Sequence, residues 1–208
     1  MMYAFSLSGA QAPMTKRFAI LPQTEVHKGQ PLALKEGKAV AAQKGDALLG
    51  VAAEDHVAGD GLLAPRDGGK TIKVICDPTA VFALAAPKVS AASADGAELT
   101  VKEGELAELE ADALAGAVLV LTGKEAEDAS LLHVGDCLDV TASQGNTLTV
   151  DGTPAAAGST YALLPPAGFS ALALSGLLSE TGSDWLVIGG DSANGVVYVT
   201  PQRHVFGK

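Results

Sequence analysis

The chain has 208 residues, long enough to bury a substantial core, and 48% of them are apolar. Five Phe, three Tyr and one Trp supply all the aromatic bulk, so the core is expected to consist mainly of Ala, Val, Leu and Ile. Fourteen Lys plus Arg against 24 Asp plus Glu give a net charge of −10 without any basic block, which argues against nucleic acid as the main partner.

Residues 1–16 open with apolar bulk at Met2, Tyr3 and Phe5, but Ser8, Gly9, Gln11 and Pro13 interrupt any regular pattern. This stretch reads as an extended N-terminal arm that is ordered only where a partner holds it. It lacks a basic leading region, so a signal peptide is not expected. No segment reaches the roughly 20 consecutive apolar residues of a membrane helix, and no membrane partner is expected. Lys16 and Arg17 follow as a solvated pair at the domain edge, and Phe18, Ile20 and Leu21 begin the first strand.

From Glu25 to Leu84 the chain is cut by Gly-containing turns into short apolar segments, a β cadence with no helical recurrence. Pro31–Leu34 and 38–42 flank Glu36-Gly37, placed as a two-residue hairpin turn requires. A strand over 47–53 follows Lys44-Gly45-Asp46, and 71–76 is expected as a strong strand, ended by Asp77-Pro78 because proline cannot donate to a ladder. Residues 81–85 resume it. Residues 87–96, rich in Ala and Ser, read as a domain boundary. The domains expected are therefore the arm, 1–16, a first β domain, 17–90, and a second, 91–208.

In the second domain 99–102 reads as a strand, 103–115 as a short helix in preference to a strand, and 117–122 as a buried strand. HVGDCLDVTA near residue 137 echoes QKGDALLGVA near residue 46, with Gly-Asp supplying a turn before each strand. NTLTVD, residues 146–151, alternates as a strand does, and further strands are expected at 161–164, 171–174, 185–188 and 196–200. The fold class is all-β: two small turn-rich β-sandwich or β-barrel domains with an extended N-terminal arm. The apolar pair Val205-Phe206 in the tail is placed to cover an edge or meet a neighbouring chain.

No catalytic constellation emerges. Residues 64–71, APRDGGKT, match a relaxed phosphate-loop pattern, but the β-branched IKVICDP that follows starts no helix to receive a phosphate. Ser170 in GFSAL lacks the second Gly of a nucleophile elbow. His27, His56, His133 and His204 are scattered and expected at turns or on the surface. Glu54, Asp55 and Asp60 occupy a solvated loop. Cys76 and Cys137 are expected as buried free thiols rather than a disulfide, and neither has a second Cys or His at zinc spacing. No enzyme activity, metal or cofactor is expected.

The succession VHKGQPLALKEGKAVAAQKGDALLGVAAED followed by TIKVICDPTAVFAL, within residues 17–86, resembles the small β-rich head decoration, or capsid cement, proteins of tailed bacteriophages. The resemblance implies a virion protein, made in the host cytoplasm, that binds the major capsid protein on the capsid exterior and reinforces joints between subunits. It also implies a homo-oligomer, a trimer above all, with an N-terminal arm reaching the shell. On that reading Met2, Tyr3, Phe5, Lys16, Arg17, Val205 and Phe206 contact the partner. The competing class is a β module on a fibre or cell surface that binds sugar or peptide, with Trp185, Tyr3, Tyr161 and Tyr198 as its few aromatic platforms.

Overall fold

The computed structural model describes residues 1–9, 12–21, 23–43, 45–56, 70–106, 110–125, 130–169 and 185–206. Among them there is no helix: the architecture is all-β, with two closed barrels and a four-stranded sheet. The chain separates into two compact units. One comprises Met1–Ala83, Trp185 and the described residues from Val199 on; the other starts at Leu84, contains the second barrel and includes Leu186–Tyr198.

The first barrel is built from β2 (Thr15–Ile20), β3 (Pro31–Lys35), β4 (Lys38–Ala41), β5 (Leu48–Ala52) and β6 (Thr71–Ile75), in the order β2-β4-β3-β5-β6. Lys35 faces Lys38 across Glu36 and Gly37, both left-handed at φ 51° and 76°, which makes the expected two-residue hairpin. β2 closes the barrel by running parallel to β4 and antiparallel to β6. Ile20, Val26, Leu32, Leu49, Ile72, Val74 and Cys76 fill the interior, each aliphatic side chain contributing about 1.5–3 kcal/mol by leaving water. At Gly50 a Cβ would stand 2.0 Å from the Ile75 carbonyl oxygen, so only glycine lets β5 pass β6 at this distance.

The second barrel uses β8 (Lys88–Asp95), β9 (Glu98–Val101), β10 (Val118–Gly123), β11 (Cys137–Gln144), β12 (Thr147–Val150) and β13 (Thr160–Leu164), ordered β10-β11-β12-β9-β8-β13. Its registers reveal an internal two-fold. In the β8–β9 hairpin Ala91, Ser93, Ala94 and Asp95 face Val101, Thr100, Leu99 and Glu98, with a bulge between residues 91 and 93. In β11–β12 Val140, Ala142, Ser143 and Gln144 face Val150, Thr149, Leu148 and Thr147, with the same bulge between residues 140 and 142. The hairpins meet through β9 and β12, where Leu99 faces Leu148 and the flanking pairs are mirror images, Thr100 with Thr147 and Glu98 with Thr149. On the far side Val120 faces Ala162 in the β10–β13 pair, and the contacts of β10 with β11 match those of β13 with β8.

Hydrogen bonds outside the ladders obey the same symmetry. Val101 N–H donates to Asn146 O and Val150 N–H to Ala97 O; Lys102 N–H donates to Ser90 O and Asp151 N–H to Asp139 O. Even the lead into the third strand repeats, as AGAVLVL before and through β10 and AGSTYALL before and through β13. The barrel is thus a hairpin-plus-strand unit present twice, each copy burying the apolar face of the other.

The remaining strands, β1 (Met2–Ser6), β7 (Ala80–Ala85), β14 (Trp185–Asp191) and β15 (Val196–Pro201), form a sheet ordered β1-β7-β15-β14.

Four expectations are corrected. Residues 1–16 are not a free arm: 2–6 form β1, paired antiparallel with β7, and Thr15 and Lys16 start β2. Residues 87–96 do not hold the domain boundary: the units divide between Ala83 and Leu84, and β8 occupies 88–95, paired on both sides. Residues 103–115 form turns wherever they are described, because Gly104 and Asp112 are left-handed and Ser143 bonds to Asp112 through two backbone groups. Cys137 is exposed: Leu138 and Val140 take the inward positions of β11, and alternation turns Cys137 outward. The strand expected at 171–174 lies outside the described residues.

Leu99 and Leu148, both fully buried on the two-fold, give a direct test. Each truncation to Ala should cost about 2–5 kcal/mol in denaturant unfolding, and the two costs should agree within about 1 kcal/mol. One severe and one silent substitution would contradict the symmetric core.

Candidate functional site

β1 exposes the side chains of Met2 and Phe5, with Leu7 just beyond it, and lies at the edge of its sheet. Its sequence MYAFS has no charge and no proline, the two devices that ordinarily blunt an edge strand. Tyr3 faces Phe82 and Phe5 faces Val81, so Ala4 is an extra residue in a bulge. Because Phe82 and Val81 are adjacent on β7, their partners point to opposite faces. Tyr3 therefore turns inward, edge-on to Phe82 at 6.3 Å, and Phe82 in turn stands edge-on to the buried Trp185 at 5.5 Å. Phe5 turns outward with 44% of its surface exposed, in company with Met2 at 71% and Leu7 at 52%.

What holds β1 in place is Asp77, at the corner between β6 and β7. Its carboxylate is buried and accepts hydrogen bonds from Ser6 Oγ (3.1 Å), Thr79 N–H (2.9 Å) and Thr79 Oγ1 (2.7 Å). Ser6 and Thr79 hydroxyls also lie 2.8 Å apart, and Leu7 N–H donates to Thr79 O. Burial pushes the Asp77 carboxyl up, but the bonds from Thr79, Ser6 and the Met14 backbone outweigh it and hold the group below its ordinary value.

A second cluster joins the tail to β2. Leu48 N–H donates to Arg203 O and Val205 N–H to Leu48 O, which lays 203–205 along the start of β5. Val205 packs on the barrel core, while Phe206 sits 6.2 Å from Phe18 and 5.5 Å from the Lys16 ammonium. His204 is buried beneath. Its Nδ1 accepts the Phe206 N–H at 3.2 Å, so the neutral ring carries its proton on Nε2, which has no partner among the described residues. Burial pushes the His204 pKa down, against the opposing pull of Asp77 and the Leu49 backbone.

Of the residues expected to contact a partner, Lys16, Val205 and Phe206 meet in this second cluster, and Met2 and Phe5 form the exposed part of β1. Tyr3 is only half-exposed, and Arg17 is engaged with Glu54 at 3.0 Å. Among the histidines His27 and His133 are exposed as expected, but His56 and His204 are buried, His56 through its backbone bridge to Val26 and an Nδ1 contact of 2.6 Å with Thr24 O. Asp60, Ser170 and residues 64–69 of the phosphate-loop match lie outside the described residues, and Thr71, its last residue, begins strand β6. Sequence reasoning passed over Asp77, whose only local signal was the following proline.

The chain matches no known family model, no curated protein and no solved structure.

Asp77→Asn should cost about 1–3 kcal/mol at pH 7, because a charged acceptor is replaced by a neutral one whose amide brings donors into a ring of donors. The sign with pH follows from the lowered carboxyl: its stabilisation is complete above the ordinary Asp value near 3.9 and fades as pH falls through the lower folded value. Urea unfolding of both proteins at several pH values should show the gap at pH 7 shrinking below about pH 4. A gap that is absent at pH 7, or independent of pH, would contradict the role of Asp77.

Proposed function

We propose that the chain is a structural virion protein that attaches to the exterior of a bacteriophage capsid, binds the major capsid protein and reinforces contacts between its subunits. The observation that carries this reading is the uncharged edge strand β1, exposing Met2 and Phe5, with Leu7 just beyond it, while Ser6 is anchored to Asp77. A strand at a sheet edge with exposed apolar side chains is suited to receive a strand from a partner, and anchoring beforehand spares the complex about 1–2 kcal/mol of ordering entropy per residue. Two further points support it. The stretch that resembles the decoration proteins, 17–86, coincides with the strands of the first barrel and β7. Lys16 and Phe206 add an exposed cationic and aromatic rim to the same unit. A homo-oligomer, with three copies as the expected number, completes the proposal.

The competing reading, a module that binds sugar or peptide, loses two of its aromatic platforms for sugar, because Trp185 and Tyr161 are fully buried.

Co-sedimentation with empty phage heads tests the attachment. Wild-type protein should pellet with the heads, and the double variant Met2→Lys, Phe5→Glu should remain in the supernatant while keeping its far-ultraviolet spectrum and melting temperature. Equal pelleting of both would remove β1 from the mechanism, and no pelleting of either would remove the capsid reading.

A further inference from the structure

Where β1 passes the rim of the first barrel, a cleft of about 530 Å3 opens between them. That volume lies within the range of sites that hold small molecules. Met1 and Met2 form one wall; Val51 and Ala52 at the end of β5, Ile75 at the end of β6 and Pro13 form the other. At Gly29 a Cβ would stand 2.4 Å from the Met1 carbonyl oxygen, so this turn and the first residue are in close backbone contact at one end of the cleft.

The polar side chains of the lining are Tyr3, Thr15, Lys28 and Lys73. Its charged residues are Lys28 and Lys73, on a chain with ten more acidic than basic side chains. Tyr3, also in the lining, has a buried hydroxyl with no hydrogen-bond partner among the described residues. Two carboxylates bonded to the lining residues' backbone are also turned to other work: Glu54 accepts the Lys73 N–H and pairs with Arg17, and Asp55 accepts the Lys28 N–H and lies 4.0 Å from His27. Two ammonium groups that only donate, beside a phenol that can donate, match an acceptor carrying negative charge. A peptide strand is a poor match, because the backbone groups of the rim already bond one another: Gly29 N–H to Ala52 O, Ala52 N–H to Gln30 O, Ala53 N–H to Lys73 O and Cys76 N–H to Met14 O.

We propose that this cleft binds a small amphiphilic carboxylate, its apolar body between the Met1–Met2 wall and the barrel rim, its carboxylate held by Lys28, Lys73 and the Tyr3 hydroxyl. The site shares Met2 with the attachment surface proposed above but does not depend on that proposal, because its test reads ligand binding and not pelleting with heads.

Titration of the full-length protein with sodium octanoate, followed by proton–nitrogen NMR, tests the site, with 1-octanol as the uncharged probe of equal chain length. Octanoate should give saturable shifts centred on Lys28, Ala53 and Lys73, and octanol should bind at least about fivefold more weakly. The double variant Lys28→Gln, Lys73→Gln should abolish that preference. Tyr3→Phe, which keeps the ring against Phe82, should weaken octanoate by about threefold. Absence of saturable octanoate binding at millimolar concentration overturns the proposal. So does equal binding of the two probes, or a preference for octanoate that survives in the lysine variant.

Discussion

A carboxylate taken out of water must be surrounded by donors, and Asp77 is the buried carboxylate of the described residues. Its donors come from three places in the chain, Ser6 in β1, Thr79 just before β7 and the Met14 backbone just before β2. Satisfying the charge therefore fixes the distance between the N-terminal strand and the corner where the first barrel hands the chain to the sheet. The register of β1 on β7 follows from this anchor, and the bulge at Ala4 then decides which aromatic ring is covered and which is exposed. Tyr3 joins the edge-to-face series with Phe82 and Trp185, while Phe5 is left on the surface. The proposed attachment strand and one wall of the cleft both depend on that arrangement.

The second barrel solves a different problem. A chain poor in aromatic residues fills a barrel by repeating a compact unit against itself, so that small aliphatic side chains meet in matched layers. The two-fold at Leu99 and Leu148 has that effect, and the loops can differ without disturbing it. The longer connection from β9 to β10 uses its extra residues to carry Asp112 to the Ser143 backbone, whereas the shorter one from β12 to β13 closes with the Ala155 amide donating to the buried Tyr161 hydroxyl. Carboxylates from the two connections nevertheless serve equivalent positions, Glu105 accepting from Ser90 N–H and Asp151 from Asp139 N–H.

Much of this was legible where the signal is local. Glu36-Gly37 specified a hairpin because a left-handed pair makes the type I′ turn of a two-residue hairpin, and the alternation of NTLTVD gave β12 its inward Leu148 and Val150. The errors arose where distant partners decide. MYAFS became a strand because Ser6 finds Asp77 across 71 positions, and no short-range pattern records that. The helix-like 103–115 yields to bonds with Ser90 and Ser143, which compete for its acidic side chains. The echo between QKGD and HVGD marks a shared turn, in which Asp46 and Asp136 each accept from the amide three residues back, but the strands after them belong to different barrels. The true repeat joins β8–β10 to β11–β13. It is conserved in register more than in residue identity, so a reading of the letters alone missed it.

Native-state hydrogen exchange on the isolated full-length protein tests the central claim, that β1 is a fixed strand of the chain's own sheet before any partner arrives. The account predicts that the amides of residues 2–7 bonded to β7, Leu7 foremost through Thr79 O, exchange as slowly as those of β7 itself. Exchange of these amides at the rate of an unstructured peptide, with β7 still protected, would contradict it and return the segment to the status of a free arm.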